Sequence, residues 1–224
     1  AVWFAYQNVP QLFFENVDEQ SQKFQIGRGG QPRPNLVPDD NRLRLYQRAE
    51  DEEGEEIRRE ILVLDLPSGD DPVIVAFYNG EGGRVAQRLF MDNADLHEGK
   101  TARLINLLDA RVAAIIGNQR VTVAPQSEVS NIPINTQGDA FQFKFAIEVP
   151  DGLNANFPPK RYRLTSDNRR FTVFFAYRPE VIYADEVNPD ANDNEDDREA
   201  PRAIERVAYH PNVVTMFDNV PIED

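Results

Sequence analysis

Lys100–Val123, KTARLINLLDARVAAIIGNQRVTV, is the stretch whose reading decides the fold class. Val112–Ile116 and Val121–Val123 are β-branched or apolar at close spacing, and Gly117-Asn118 stands where the chain must reverse. That pair suits a hairpin turn, because glycine has no Cβ to clash at positive φ and asparagine tolerates the left-handed region. Upstream, Thr101–Asn106 reads as a third strand, with Ala102, Leu104 and Asn106 on one face and Arg103, Ile105 and Leu107 on the other. The three strands are expected to form a meander. A short helix through Leu104–Ala114 is the competing reading; Asp109 interrupts it, and the apolar spacing beyond follows no 3.6-residue period.

The rest of the 224 residues repeats this rhythm of short strands and turn signals. Val2–Tyr6, Gln11–Val17, Phe24–Ile26, Arg42–Gln47, Ile57–Leu66, Val73–Tyr78 and Arg84–Met91 are strand-like, and Glu50–Glu56 is an acidic hairpin tip around Gly54. Two halves echo one another. Leu66–Asp70 leading into Val73–Tyr78 is matched by Leu164–Asn168 leading into Thr172–Tyr177, and Leu43/Leu45 by Phe141, Phe143 and Phe145. Asn16 to Gly27 parallels Asn106 to Gly117, and Val2–Pro10 (VWFAYQNVP) parallels Val213–Pro221 (VVTMFDNVP). The expected architecture is all-β: two tandem β-sandwich modules of immunoglobulin-like or related Greek-key type, at 1–96 and 97–180. An acidic linker and a C-terminal docking segment follow at 181–224. Equivalent strands at the two ends would permit homo-oligomers by edge-strand pairing.

Composition excludes several function classes. A net charge of −14 opposes encounter with nucleic acid or an anionic membrane surface. With no cysteine, disulfides, thiolate catalysis and Cys-ligated metals are ruled out. No apolar run approaches the roughly 20 residues of a membrane helix, so the chain is not expected to span a membrane by one. A start at Ala1 and the acidic β-rich pattern lead to the expectation of an exported protein: periplasmic, cell-surface or secreted.

Two constellations could carry binding. Asp190, Asn192, Asn194 and Asp196 offer oxygen ligands at alternate positions, as Ca2+ loops do. Glu195 and Pro201, however, stand where a helix-loop-helix calcium site needs Gly and Glu. Lys160, Arg161, Arg163, Arg169 and Arg170 form a basic patch able to hold an anionic ligand such as a sulfated or uronic polysaccharide, or to pair with the chain's own acidic segments. His97 and His210 lie at turn-like sites and are expected at the surface. No G-x-S-x-G element, P-loop or distinct carboxylate pair marks an active site.

The strand Arg103–Leu107, followed by a Gly-Asn hairpin and Val123-Ala124-Pro125, resembles that of uncharacterised exported bacterial β-sandwich proteins. The resemblance covers about the middle third of the chain and implies no activity, so it assigns no functional residue. The expected function is a non-enzymatic exported binding or structural module. It would act at the cell envelope through a protein or polysaccharide partner, with calcium assistance open and no other cofactor. The alternative is a carbohydrate-active enzyme or its accessory domain.

Overall fold

The computed structural model describes residues 2–3, 11–15, 20–24, 40–69, 72–79, 85–92, 95–136, 139–149, 152–154, 157–167, 169–185 and 203–219. These are all-β, without a helix. In chain order the strands are β1 (Val2–Trp3), β2 (Phe13–Glu15), β3 (Ser21–Lys23), β4 (Arg42–Glu50), β5 (Glu56–Asp65), β6 (Val73–Asn79), β7 (Val85–Met91) and β8 (Thr101–Asn106). They continue as β9 (Val112–Ile116), β10 (Gln119–Val123), β11 (Ser127–Pro133), β12 (Ala140–Val149), β13 (Gly152–Asn154), β14 (Lys160–Arg163), β15 (Arg169–Asp185) and β16 (Ala203–Asn219).

The described strands form four open sheets. Sheet I has the order β3-β2-β4-β5, sheet II β1-β6-β7, sheet III β11-β8-β15-β16, and sheet IV β10-β9-β12-β13 with β14 also paired to β12. Among the described residues none closes into a barrel. Sheets I and II draw only on residues up to Met91, and sheets III and IV only on residues from Thr101. The two sets correspond. In sheet II, β6 has β1 parallel on one side and β7 antiparallel on the other; in sheet III, β15 has β8 parallel and β16 antiparallel. Sheet IV likewise repeats the order of sheet I through β10, β9, β12 and β14.

Three apolar clusters join the sheets in series. Alternate side chains of β6 point to opposite faces, as the two-residue period of a strand requires. Val75 and Phe77 pack with Leu12, Phe14, Leu43, Leu45 and Leu64 of the sheet I region, whereas Ile74 and Ala76 join Phe90, Ile105, Leu107, Phe174 and Ala176. On the far face of β8 and β15, Ala102, Leu104, Phe171, Val173 and Phe175 pack against Val112, Ala114, Phe141 and Phe143 of sheet IV. Sheets II and III are thus covered on both faces, which explains why Thr101–Asn106 is buried throughout although Thr101, Arg103 and Asn106 are polar.

The β9–β10 hairpin forms as its turn residues require, with Gly117 at φ 59°. A Cβ on Gly117 would lie 2.8 Å from the Asn135 carbonyl oxygen. Gly117→Ala is therefore expected to destabilise the chain by the left-handed backbone cost of about 1–2 kcal/mol plus the relief of that clash; a urea midpoint equal to wild type would contradict this. The expected meander does not form, because β8 pairs with β11 and β15 instead of β9. The corner that diverts it is built by Asn106: its Nδ2 donates to the carbonyls of Ala110 and Ala124 at 2.8 Å, and its Oδ1 accepts from the Leu108 amide at 3.1 Å. A buried asparagine that satisfies three main-chain groups carries the chain from one sheet into the next.

The acidic tip also forms as expected, with Asp51 Oδ1 accepting from the amides of Glu53 and Glu55 and Gly54 at φ 83°. The segment after the acidic run docks as β16, in unbroken register with β15 from Arg169↔Asn219 to Asp185↔Ala203. The two terminal echoes are edge strands of opposite sense: Val2–Trp3 runs parallel to β6, and Val213–Asn219 antiparallel to β15. One could replace the other only by reversing direction. Asn16 and Gly27, the ends of a further echo, lie outside the described residues.

Candidate functional site

Among the described residues, the buried ionisable side chains Asp92, His97, Arg103 and Arg170 gather at the β7–β8 connection. Asp92 directly follows β7, and its amide donates to the Pro72 carbonyl at 2.7 Å. Arg103 on β8 and Arg170 on β15 lie on the strand faces that carry Ile105 and Phe174, toward sheet II. The alternation of apolar and charged residues thus aims two guanidinium groups at the start of the connection. Both arginines are buried, as are Asp92 and His97.

Arg170 Nη2 donates to Asp92 Oδ2 at 3.2 Å, and its Nη1 to the His97 carbonyl at 3.4 Å. Arg103 Nη1 donates to the Met91 carbonyl at 2.6 Å and lies 3.5 Å from Asp92 Oδ1. Its Nε and Nη2 both donate to Glu128 Oε2, at 2.9 and 2.7 Å, and its guanidinium carbon stands 5.7 Å from the Phe90 ring centre. Two carboxylates therefore face two guanidinium groups, which also hold the main chain on both sides of the connection. His97 Nδ1 lies 3.8 Å from Asp92 Oδ1, beyond hydrogen-bond range. Among the described residues neither ring nitrogen of His97 has a hydrogen-bond partner, and Asp92 Oδ1 has none either.

Burial pushes the Asp92 carboxyl up, but His97, Arg170 and Arg103 outweigh it and hold the carboxyl below its ordinary value of 3.8. A carboxyl lowered in the folded state contributes stability that is fully present above its unfolded pKa and lost as pH falls through the folded one. The contribution of Asp92 should therefore persist down to about pH 4 and fade below it. Urea midpoints of wild type and Asp92→Asn between pH 6 and 2 check this: the gap between them is expected to be constant above pH 4 and to narrow below. A gap that widened on acidification would contradict the assignment.

The basic patch expected from sequence divides. Lys160, Arg161 and Arg163 are exposed on β14. Arg169, half-buried at the start of β15, donates through Nη1 to Thr165 Oγ1 at 3.1 Å. Arg170 belongs to the Asp92 group instead, because adjacent strand residues face opposite sides. Asp190, Asn192, Asn194 and Asp196 lie outside the described residues, among which no group of His, Cys, Asp or Glu is arranged to hold a metal ion. His97, expected at the surface, is fully buried. Its turn-like sequence is correct for the backbone, whose neighbours Asp95, Leu96 and Glu98 are exposed, but the His97 side chain is turned inward beside Asp92. Sequence reasoning missed Asp92, Arg103 and Glu128; the available signal was Arg103 itself, one cation inside an apolar strand, which demands a buried partner.

Among the described residues no helix is long and apolar enough to cross a membrane. No protein-family model matches the chain, and no curated protein sequence matches it.

Proposed function

We propose that the chain is a non-enzymatic exported module that acts at the cell envelope through protein or glycan contacts. Its architecture on this reading is a tandem pair of β-sandwiches, sheets I and II forming the first and sheets III and IV the second. The corresponding strand orders support this pairing, as does the absence of strand pairing across residues 92–100 among the described residues. So do the echoed segments Val73–Tyr78 and Thr172–Tyr177, which fall on the corresponding strands β6 and β15.

The observation that carries the reading is the use made of the buried charges. Arg103 and Arg170 bind the carbonyls of Met91 and His97 and the carboxylate of Asp92, all in or beside the connection between halves. In a hydrolase on this scaffold, two carboxylates would converge on a concave, solvent-filled groove. Here Asp92 and Glu128 instead neutralise arginines that fix the joint. A fixed joint keeps the outer faces of sheets I and IV at constant separation, which suits a spacer or binding module. Calcium assistance through Asp190, Asn192, Asn194 and Asp196 belongs to the same reading; a bound ion at 100 times its Kd would stabilise by about 2.7 kcal/mol.

The test is incubation of the purified chain with plant and bacterial cell-wall polysaccharides, scoring bound protein and released reducing sugar separately. Retention without release is the expected result. Catalytic release would assign the chain to the carbohydrate-active enzymes and overturn the reading.

A further inference from the structure

We propose that the outer face of sheet IV is a docking surface for a linear anionic polysaccharide, gripped through carboxylate or sulfate groups. The proposal rests on the binding-module reading above and gives that module a surface and a ligand class.

The register places the residues. Phe141, Phe143 and Ile147 of β12 and Val112, Ala114 and Ile116 of β9 point into the core, so their alternate neighbours point outward. Arg120 lies opposite Ile115, Ile115 opposite Lys144, Gln142 opposite Arg161, and Ala140 opposite Arg163. Arg120, Lys144, Arg161 and Arg163 thus share the outer face, with Lys160 at its margin, and all five are exposed. Neighbouring strands are about 4.8 Å apart and same-face residues about 6.6 Å apart along a strand, so the cations span roughly 15–20 Å.

Elsewhere Arg42 has Asp65, Arg44 has Asp40 and Arg48 has Glu56 as acidic partners, and at one end of this face Arg111 pairs with Glu148; among the described residues Arg59 on β5 is also exposed without an ion pair. Among the described residues, the side chains of Arg120, Lys144, Lys160, Arg161 and Arg163 make no ion pair or hydrogen bond. A chain with 38 acidic and 24 basic residues has carboxylates to spare, yet these five cations are clustered without one. The net charge of −14 does not forbid an anionic ligand, since screening over about 8 Å at physiological ionic strength leaves the local cations dominant.

The floor between the cations narrows the ligand class. Ala113, Ala146 and the exposed Ile115 make it low and unobstructed, and Thr122 and Gln142 offer a hydroxyl and an amide to sugar hydroxyls. Arg120, Thr122, Ala113, Ile115, Lys144 and Arg161 include no aromatic ring, so the stacking platform on which single-stranded nucleic acids rely is missing from this face. Arginine forks fit carboxylate and sulfate oxygens in pairs.

The experiment is calorimetric titration of the whole chain with polygalacturonate, dextran sulfate and neutral dextran at 50 and 200 mM NaCl. The chain is compared with Lys144→Ala/Arg161→Ala and, as a control on sheet I, Arg42→Ala/Arg44→Ala. Circular dichroism verifies that each variant is folded. Wild type is expected to bind at least one anionic polymer and not neutral dextran, several-fold more weakly at the higher salt. The sheet IV variant should lose at least tenfold in affinity and the control less than twofold. Preference between the two polymers separates carboxylate from sulfate recognition. The proposal is overturned if neither polymer binds, if binding survives Lys144→Ala/Arg161→Ala, or if single-stranded oligothymidylate competes equally. A salt-sensitive dimer lost in the sheet IV variant would assign the face to a second copy and overturn it too. Release of sugar during titration would instead overturn the module reading, so the two failures are distinct.

Discussion

Asp92→Ala is expected to destabilise the chain by about 3–5 kcal/mol, the range for removing one partner of a buried ion pair. The cost does not come from the attraction itself, which largely offsets the desolvation of the charges. It comes from what is left behind: Arg170 Nη2 loses the carboxylate at 3.2 Å, Arg103 Nη1 the one at 3.5 Å, and both guanidinium groups stay buried. Glu128 can neutralise only Arg103. For a chain of 224 residues each kcal/mol shifts Tm by about 2–4 °C, so a loss on the order of 10 °C is expected. Arg170→Met in the Asp92→Ala background should recover part of it, because the second substitution removes a buried cation that has lost the Asp92 carboxylate and fills its volume with an apolar side chain. Thermal unfolding of the four proteins of this cycle provides the check, and strictly additive losses would contradict a shared buried network.

Phe143→Ala is expected to cost about 3–5 kcal/mol. Phe143 is fully buried, and its ring centre lies 5.6 Å from that of Phe145, 5.7 Å from Phe171, 6.4 Å from Phe175 and 6.4 Å from Tyr162. The neighbours come from β12, β15 and β14, and strands hydrogen-bonded into sheets cannot collapse into the cavity. Phe143→Leu retains most of the apolar volume and removes the aromatic contacts, worth about 0.5–1.5 kcal/mol per pair beyond area burial. It should therefore fall between wild type and Phe143→Ala in urea midpoint. A Phe143→Ala protein within 1 kcal/mol of wild type would show that the sheet III–sheet IV core is looser than the ring geometry implies.

Much of the fold is legible in the sequence because strand periodicity and turn chemistry are local. The β9–β10 turn at Gly117-Asn118, the acidic β4–β5 tip and the strand Thr101–Asn106 all follow from residues within a few positions of one another. The partner of β8 was not legible: it is set by Asn106, whose bonds to the carbonyls of Ala110 and Ala124 no alternation pattern encodes. The interior charges escaped for the same reason. Arg170 looks like one of five neighbouring cations in sequence, but the register of β15 turns it inward while Arg161 and Arg163 remain outside on β14. His97 sits in a turn, and turn composition predicts exposure; its burial beside Asp92 and Arg170, the latter distant in sequence, is not encoded locally.

Scanning calorimetry of wild type and Asp92→Ala tests most directly whether the buried charges lock the two halves into one unit. The account predicts a single transition for wild type, with equal calorimetric and van't Hoff enthalpies. For Asp92→Ala it predicts a broadened or divided transition whose van't Hoff enthalpy falls below the calorimetric one. Two separate transitions in wild type, or an equally cooperative single transition in both proteins, would contradict it.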